Sequence, residues 1–224
     1  VGMSTSTTLI DLLDAVRNRH RFDATLIQTA IAHNPNGIRV ISLPRAPESL
    51  HALVATDVIG LLTQLRTYFD LLIVDLGGFP EPDLSMRIAN ASDQVWLTTD
   101  QTVGSLVSLD QLVKTLDRNQ VTRSKRHLIV NRHEMSFGMS DRQIADRFKL
   151  PLLATLPECR QRLVGAANAG KLLHELHRNN AYIAAVTALA SHLTTKNDEA
   201  LPANGLRKWL QRWFGGRDRN NAHA

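Results

Sequence analysis

The chain has 224 residues, 43% of them hydrophobic and 21% charged, with aromatics at 5%. That is the composition of a soluble globular protein with enough chain for one large α/β domain or a domain plus an appendage. No run approaches the eighteen or so apolar residues of a membrane span, and a single cysteine, Cys159, excludes an intrachain disulfide framework. With no signal-peptide pattern at the amino terminus, a cytoplasmic location in a reducing compartment is the expectation. The net charge of +5 is unevenly spread. Residues 205–224 hold five basic side chains against one acid, which leaves 21 basic and 20 acidic over the rest, so the body is nearly neutral.

Taken in chain order, residues 4–19 open with a Ser/Thr cluster suited to capping a helix, and Leu9, Ile10, Leu12, Leu13 and Val16 give that helix an apolar face. A second helix is expected over 22–33, stopped by Asn34-Pro35-Asn36-Gly37. The β-branched run 38–43 (IRVISL) predicts a strand, and a helix ending near Tyr68 leads to residues 69–78, FDLLIVDLGG. There Leu71, Leu72, Ile73 and Val74 run without alternation into Asp75 and a Gly-Gly pair. Such a run predicts a strand buried on both faces with a carboxylate at its carboxyl end, where open α/β sheets hold ligands. The order strand, helix, strand predicts a crossover unit in a parallel sheet.

Beyond a turn-rich loop the pattern repeats: a helix over 84–91, strand 94–98 (QVWLT), helix 103–118, strand 127–131 (HLIVN), helix 140–148, strand 152–156, and helices over 160–168 and 181–194. Asp100 reads as a helix cap on the ligand-side rim. Gly165 to Leu172 approaches a phosphate-loop spacing but lacks the terminal Ser/Thr, so Gly170 is expected to end a helix and Lys171 to lie on the surface. His174 and His177 have no third partner at metal-site spacing.

Residues 196–204 read as a linker. After it, Leu206, Trp209, Leu210, Trp213 and Phe214 fall at i, i+3, i+4, i+7 and i+8, with Arg207, Lys208, Gln211 and Arg212 on the remaining face and Gly215-Gly216 as a stop. A short, basic, Trp-bearing amphipathic segment of this kind is expected to fold on an anionic membrane surface. Nucleic acid is not expected as a partner, because the tryptophans lie on the apolar stripe and the body has no basic patch.

Several separated blocks together resemble the MinD/ParA family of deviant-Walker ATPases. FDLLIVDLGG resembles its Walker B strand, QVWLTTDQTVGSLVSLDQLVKTL its next strand-helix unit, HLIVNR its adenine-reading strand, and PLLATLPECRQRLVGAANAGKLLHEL its closing strand, Pro-containing loop and helix. The pilus-assembly branch, the TadZ/CpaE proteins, is the most similar, sharing also residues 23–49. The resemblance implies a P-loop NTPase-like α/β fold over 1–195, with a mostly parallel sheet flanked by helices and incomplete at its amino terminus. It implies ATP and Mg²⁺ as the family's ligands. Asp75 would face magnesium and the γ-phosphate, Asn131 would bond the adenine through an amide that offers donor and acceptor in one plane, and Pro157 and Glu158 would line the base pocket. The alternative for Asn131 is a strand-end residue bonding its own loop.

The family's phosphate loop is not found in the chain. The sequence is therefore either part of a longer ATPase or a natural pseudo-ATPase. The first is favoured because a missing central strand would leave backbone groups unpaired at about 1 to 3 kcal/mol each. Either way the chain alone is expected to be inactive in ATP hydrolysis and to show no calorimetric ATP binding. The implied role is a pilus assembly and localisation factor, a homodimer peripheral on the inner face of the plasma membrane and working with pilus and secretion machinery. The alternative is an active ATPase positioning a division site or partitioning DNA.

Overall fold

The computed structural model describes residues 10–21, 23, 25, 27, 29, 31–33, 37–44, 46–79 and 81–197. The amphipathic tail and residues 198–204 of the expected linker lie outside these residues, as does the Ser/Thr cluster at the amino terminus, whereas residues 196 and 197 belong to the last helix and not to a linker.

From Pro82 onward the expected alternation of helices and strands is present. Helix α3 (Pro82–Ala91), strand β3 (Val95–Thr99), helix α4 (Val103–Arg118), strand β4 (Arg126–His133), helix α5 (Asp141–Phe148), strand β5 (Leu152–Pro157), helix α6 (Arg160–Asn168), the single turn α7 (Leu173–Leu176) and helix α8 (Ala181–Asn197) follow in order. The three strands form one parallel sheet in the order β3-β4-β5, so their carboxyl ends share a rim.

Local chemistry accounts for these boundaries. Thr102 caps α4 by accepting the N–H of Ser105. Ser140 and Gln143 form a reciprocal capping box at α5, which satisfies two of the otherwise unbonded amino-terminal donors. Leu97, Leu109, Leu116, Leu128, Val130 and Ile144 are buried together between the sheet and helices α4 and α5, and they form the largest core of the described residues.

The amino-terminal half differs from expectation in three places. Helix α1 spans only Leu12–Arg17, capped by the Asp11 carboxylate, which accepts the N–H of Asp14 at 2.9 Å. Residues 25, 27 and 29 are helical, but the expected second helix gives way before its predicted end to strand β1 (Ala32–His33), antiparallel to β2 (Arg39–Val40). Residues 39 and 40 pair back on 33 and 32, and this short antiparallel pair replaces the predicted parallel strand over 38–43, while the expected Asn-Pro-Asn stop lies outside the described residues.

The third difference is the largest. Residues 71–76 belong to no ladder, and the run is covered on one side only. Phe69 and Leu72 pack on the cluster of Ala15, Ile27, Leu61 and Leu65, and Leu76 and Phe79 on that of Val58, Leu84 and Ile88. Leu71, Ile73 and Val74 remain 37%, 76% and 39% exposed. A strand's hydrogen bonds come from neighbouring strands, and none of the described strands lies beside this run. Helix α2 (Ala55–Leu65) packs under it through Val58, Leu61 and Leu65. Helix α3 joins the two halves, with Leu84 and Ile88 in the cluster with Val58 and Ala89 in the core of the sheet.

Candidate functional site

The parallel order of β3, β4 and β5 brings four polar positions to one rim: Asp100 after β3, Asn131 and Arg132 near the end of β4, and Glu158 after β5. At the end of β4 the ladder is irregular, with a register shift between Val130 and His133, and Arg132 takes a left-handed backbone at φ 53°. A bulky residue held in this region costs on the order of 1 to 3 kcal/mol, and such strain clusters at functional sites. Its local effect is that the Arg132 N–H reaches back to the Asn131 side-chain oxygen at 3.0 Å. This is the bond to its own loop given above as the alternative for Asn131, and it uses the side-chain oxygen and not the amide nitrogen.

Glu158 is arranged in the complementary way. Its Oε1 accepts the N–H of Arg160 at 2.5 Å at the start of α6, which leaves Oε2 as an acceptor. A cleft of about 270 Å³ opens between these two residues, lined also by Pro157, Cys159, Leu163 and Tyr182. Its volume lies just below the range of about 300 to 1,000 Å³ usual for drug-sized ligands, which suits a planar base and not a whole nucleotide. Burial pushes the Tyr182 phenol above its ordinary range, with the neighbouring Cys159 adding to the shift.

Asp100 supports the rim from the side. Its carboxylate accepts both the N–H and the hydroxyl of Thr102, at 2.9 and 2.6 Å, and lies 3.9 Å from Arg132. Burial works to raise its pKa, but the bonds from Thr102 and Ser105 and the charge of Arg132 hold it below the ordinary carboxylate value. The expected cap is therefore displaced by two residues: Thr102 caps α4, and Asp100 bonds the capping residue instead of the helix amides.

The loop that follows β4 is held by a residue that the sequence reading passed over. Gln101 is only 6% exposed, donates to the carbonyls of Phe137 and Met139 at 2.5 and 2.8 Å, and accepts the N–H of Glu134 at 2.8 Å. Nothing in a Gln after a strand announces this, because all three partners are more than thirty positions away.

Of the residues singled out for nucleotide contact, Asn131, Pro157 and Glu158 line one cleft, and Asp75 is not among its lining residues. The Asp75 carboxylate is exposed and accepts the Gly77 N–H at 2.9 Å, a local turn that fixes the loop after the extended run. Among the described residues no group of three or more His, Cys, Asp or Glu side chains is placed to hold a metal ion, and this covers His174 and His177. One carboxylate fits magnesium only together with phosphate oxygens. The donor and acceptor pair, set among Pro157, Leu163, Val164 and Tyr182 with Arg132 and Arg160 also in the lining, can pair with a small planar group that carries both an acceptor and a donor, while no phosphate cradle is found among the described residues. In particular, Gly165 to Asn168 lie within α6, their amides used by the helix, and Gly170 ends it at φ 64°.

An open parallel α/β sheet with helices against it and polar residues gathered at the carboxyl rim defines the class of α/β proteins that bind ligands at the strand ends. Solved structures specify it further: the chain has the MinD/ParA-type fold. A ParA family ATPase from Chlorobium tepidum TLS superposes with a TM-score of 0.70 at 17% identity, over 81% of this chain and 75% of that one. The MinD cell division protein of Aquifex aeolicus gives 0.67 at 18% identity, over 89% and 79%. The MinC:MinD complex from Aquifex aeolicus gives 0.58 at 16%, over 100% and 80%. No family model and no curated protein sequence matches the chain.

Proposed function

We propose that this chain is a MinD/ParA-type positioning factor of the pilus-assembly branch, attached to the inner face of the plasma membrane and serving a tight-adherence (Flp-type) pilus secretion apparatus. The observation that carries the reading is the convergence of Asn131, Pro157 and Glu158, drawn from separate sequence blocks, on one cleft at the rim of a MinD/ParA-type fold. Asp75 would complete the site only in a form that also holds phosphate.

A MinD protein has been solved in complex with MinC, which supports a protein partner and an assembly of more than one chain here as well.

Attachment falls to the basic amphipathic segment 205–214. Each basic residue near an anionic leaflet contributes about 1 kcal/mol, and each buried large apolar side chain about 1.5 to 3 before ordering costs, which suits reversible binding. The test is complementation of a strain deleted for this gene in a tight-adherence locus, scored by surface pili. The full chain in its natural context should restore them, and a form lacking 205–224 should not, while also failing to sediment with phosphatidylglycerol vesicles. Unaltered piliation in the deletion strain would refute the pilus role, and unaltered sedimentation of the shortened form would refute the tail.

A further inference from the structure

One wall of the cleft comes from an element far along the chain. Tyr182 lies in the first turn of α8, and the residue that starts this helix, Asn180, is 9% exposed. The Asn180 side-chain oxygen accepts the Tyr182 N–H at 2.8 Å, and its nitrogen lies 3.6 Å from the Cys159 sulfur at the cap of α6. A single buried amide thus ties the start of α8 to the start of α6, and it does so beside the cleft. Along its length α8 packs on β5, with none of residues 181–193 fully buried and Val186 37% exposed, and its start is fixed by this amide. The position of Tyr182 is therefore set at this end.

We infer that Tyr182 is the residue that makes the cleft selective for a planar aromatic base, and that Asn180 is the positioning residue that holds its ring there. The inference rests on the reading of the cleft as a nucleobase site. Asn131 and Glu158 offer one donor and one acceptor, which match the polar edge of an amino-bearing base but would serve many small amides equally well. Pro157, Leu163 and Val164 are aliphatic, and Tyr182 supplies the one aromatic ring of the lining. A ring face discriminates in favour of another ring, and base–aromatic stacking is sequence-tolerant because it reads the π-face.

Stacking plus two hydrogen bonds, less the cost of association, gives a dissociation constant on the order of 1 mM, too weak for calorimetry at micromolar protein. The experiment is a ¹H–¹⁵N NMR titration of the full chain with adenosine to about 10 mM, roughly ten times that constant, with ribose as control. Adenosine, and not ribose, should shift the Asn131 side-chain amide and the Tyr182 backbone amide, and the adenine ring protons should move upfield in the ring current of Tyr182. Tyr182→Phe and Tyr182→Trp should bind within about threefold of the parent, and Tyr182→Leu about tenfold or more weaker with the ring-current shift lost. Asn180→Ala should weaken binding about threefold or more and reduce that shift although Tyr182 is present. Full adenosine affinity in Tyr182→Leu would overturn the inference and leave the base site standing. If the parent itself does not distinguish adenosine from ribose, the base site falls and the inference with it. Loss of binding in the folded Phe and Trp variants would also overturn it, since both keep the ring.

Discussion

Gln101 offers the sharpest test of how the rim is built. Its side chain makes three hydrogen bonds to the loop after β4, two as donor and one as acceptor, from a position 6% exposed. At about 0.5 to 1.5 kcal/mol net for each, truncation in Gln101→Ala should cost about 2 to 4 kcal/mol, toward the lower end because the freed loop carbonyls can be hydrated. Gln101→Glu is the informative companion. A carboxylate still accepts from the Glu134 N–H but cannot donate to the carbonyls of Phe137 and Met139, so it should be no better than alanine at neutral pH and should recover as the pH falls and it gains a proton. The assay is urea unfolding followed by circular dichroism, paired with amide exchange at Glu134. That amide should lose its protection in Gln101→Ala and the effect should reach Asn131, whose loop is no longer clamped. A loss below about 0.5 kcal/mol with Glu134 still protected would refute the argument, because surface substitutions stay within that range.

Two further outcomes follow from the packing and the ion chemistry. Ile73→Ser should change stability by no more than about 0.5 kcal/mol, while Leu72→Ser should cost about 1 to 3, since only Leu72 faces a core; equal losses would mean that the open face of this run is covered. The Thr155 hydroxyl donates to Asp141 at 2.6 Å and is the main reason that the carboxyl is held below its ordinary value, against the opposing effect of burial. A depressed pKa contributes stability that is present above the unfolded value near 3.9 and is lost as the pH falls through the folded one. Thr155→Val should therefore cost about 1 kcal/mol at pH 7 and progressively less below about pH 4, by urea unfolding at a series of pH values. A penalty that does not vary with pH would show that the bond does not favour the ionised acid.

How much of this was legible beforehand depends on where each element finds its partners. Helix α4 has the expected limits because its signals are local, an apolar periodicity and hydrogen bonds four residues apart, although its cap is Thr102 and not the expected Asp100. Strands β3, β4 and β5 were legible as short apolar runs between helices, and their parallel order followed from the alternation itself. Residues 71–76 carried the strongest strand composition of the chain, yet no described strand pairs with them. The same signals failed over 38–43, where Arg39 and Val40 pair antiparallel with His33 and Ala32 instead of entering a parallel sheet.

The sequence by itself determined the α/β class, the helices and strands after residue 82, and the candidates Asn131, Pro157 and Glu158, all set by local pattern or by the resemblance of contiguous blocks. Only the tertiary structure decided that these three share a cleft without Asp75, that Tyr182 closes it from α8, and that Gln101 holds the neighbouring loop. The physical reason is range. Caps and helical bonds are satisfied within a few residues, whereas a strand's ladder, a cleft's walls and a loop's clamp are satisfied by groups tens of positions away, whose arrival no local pattern records.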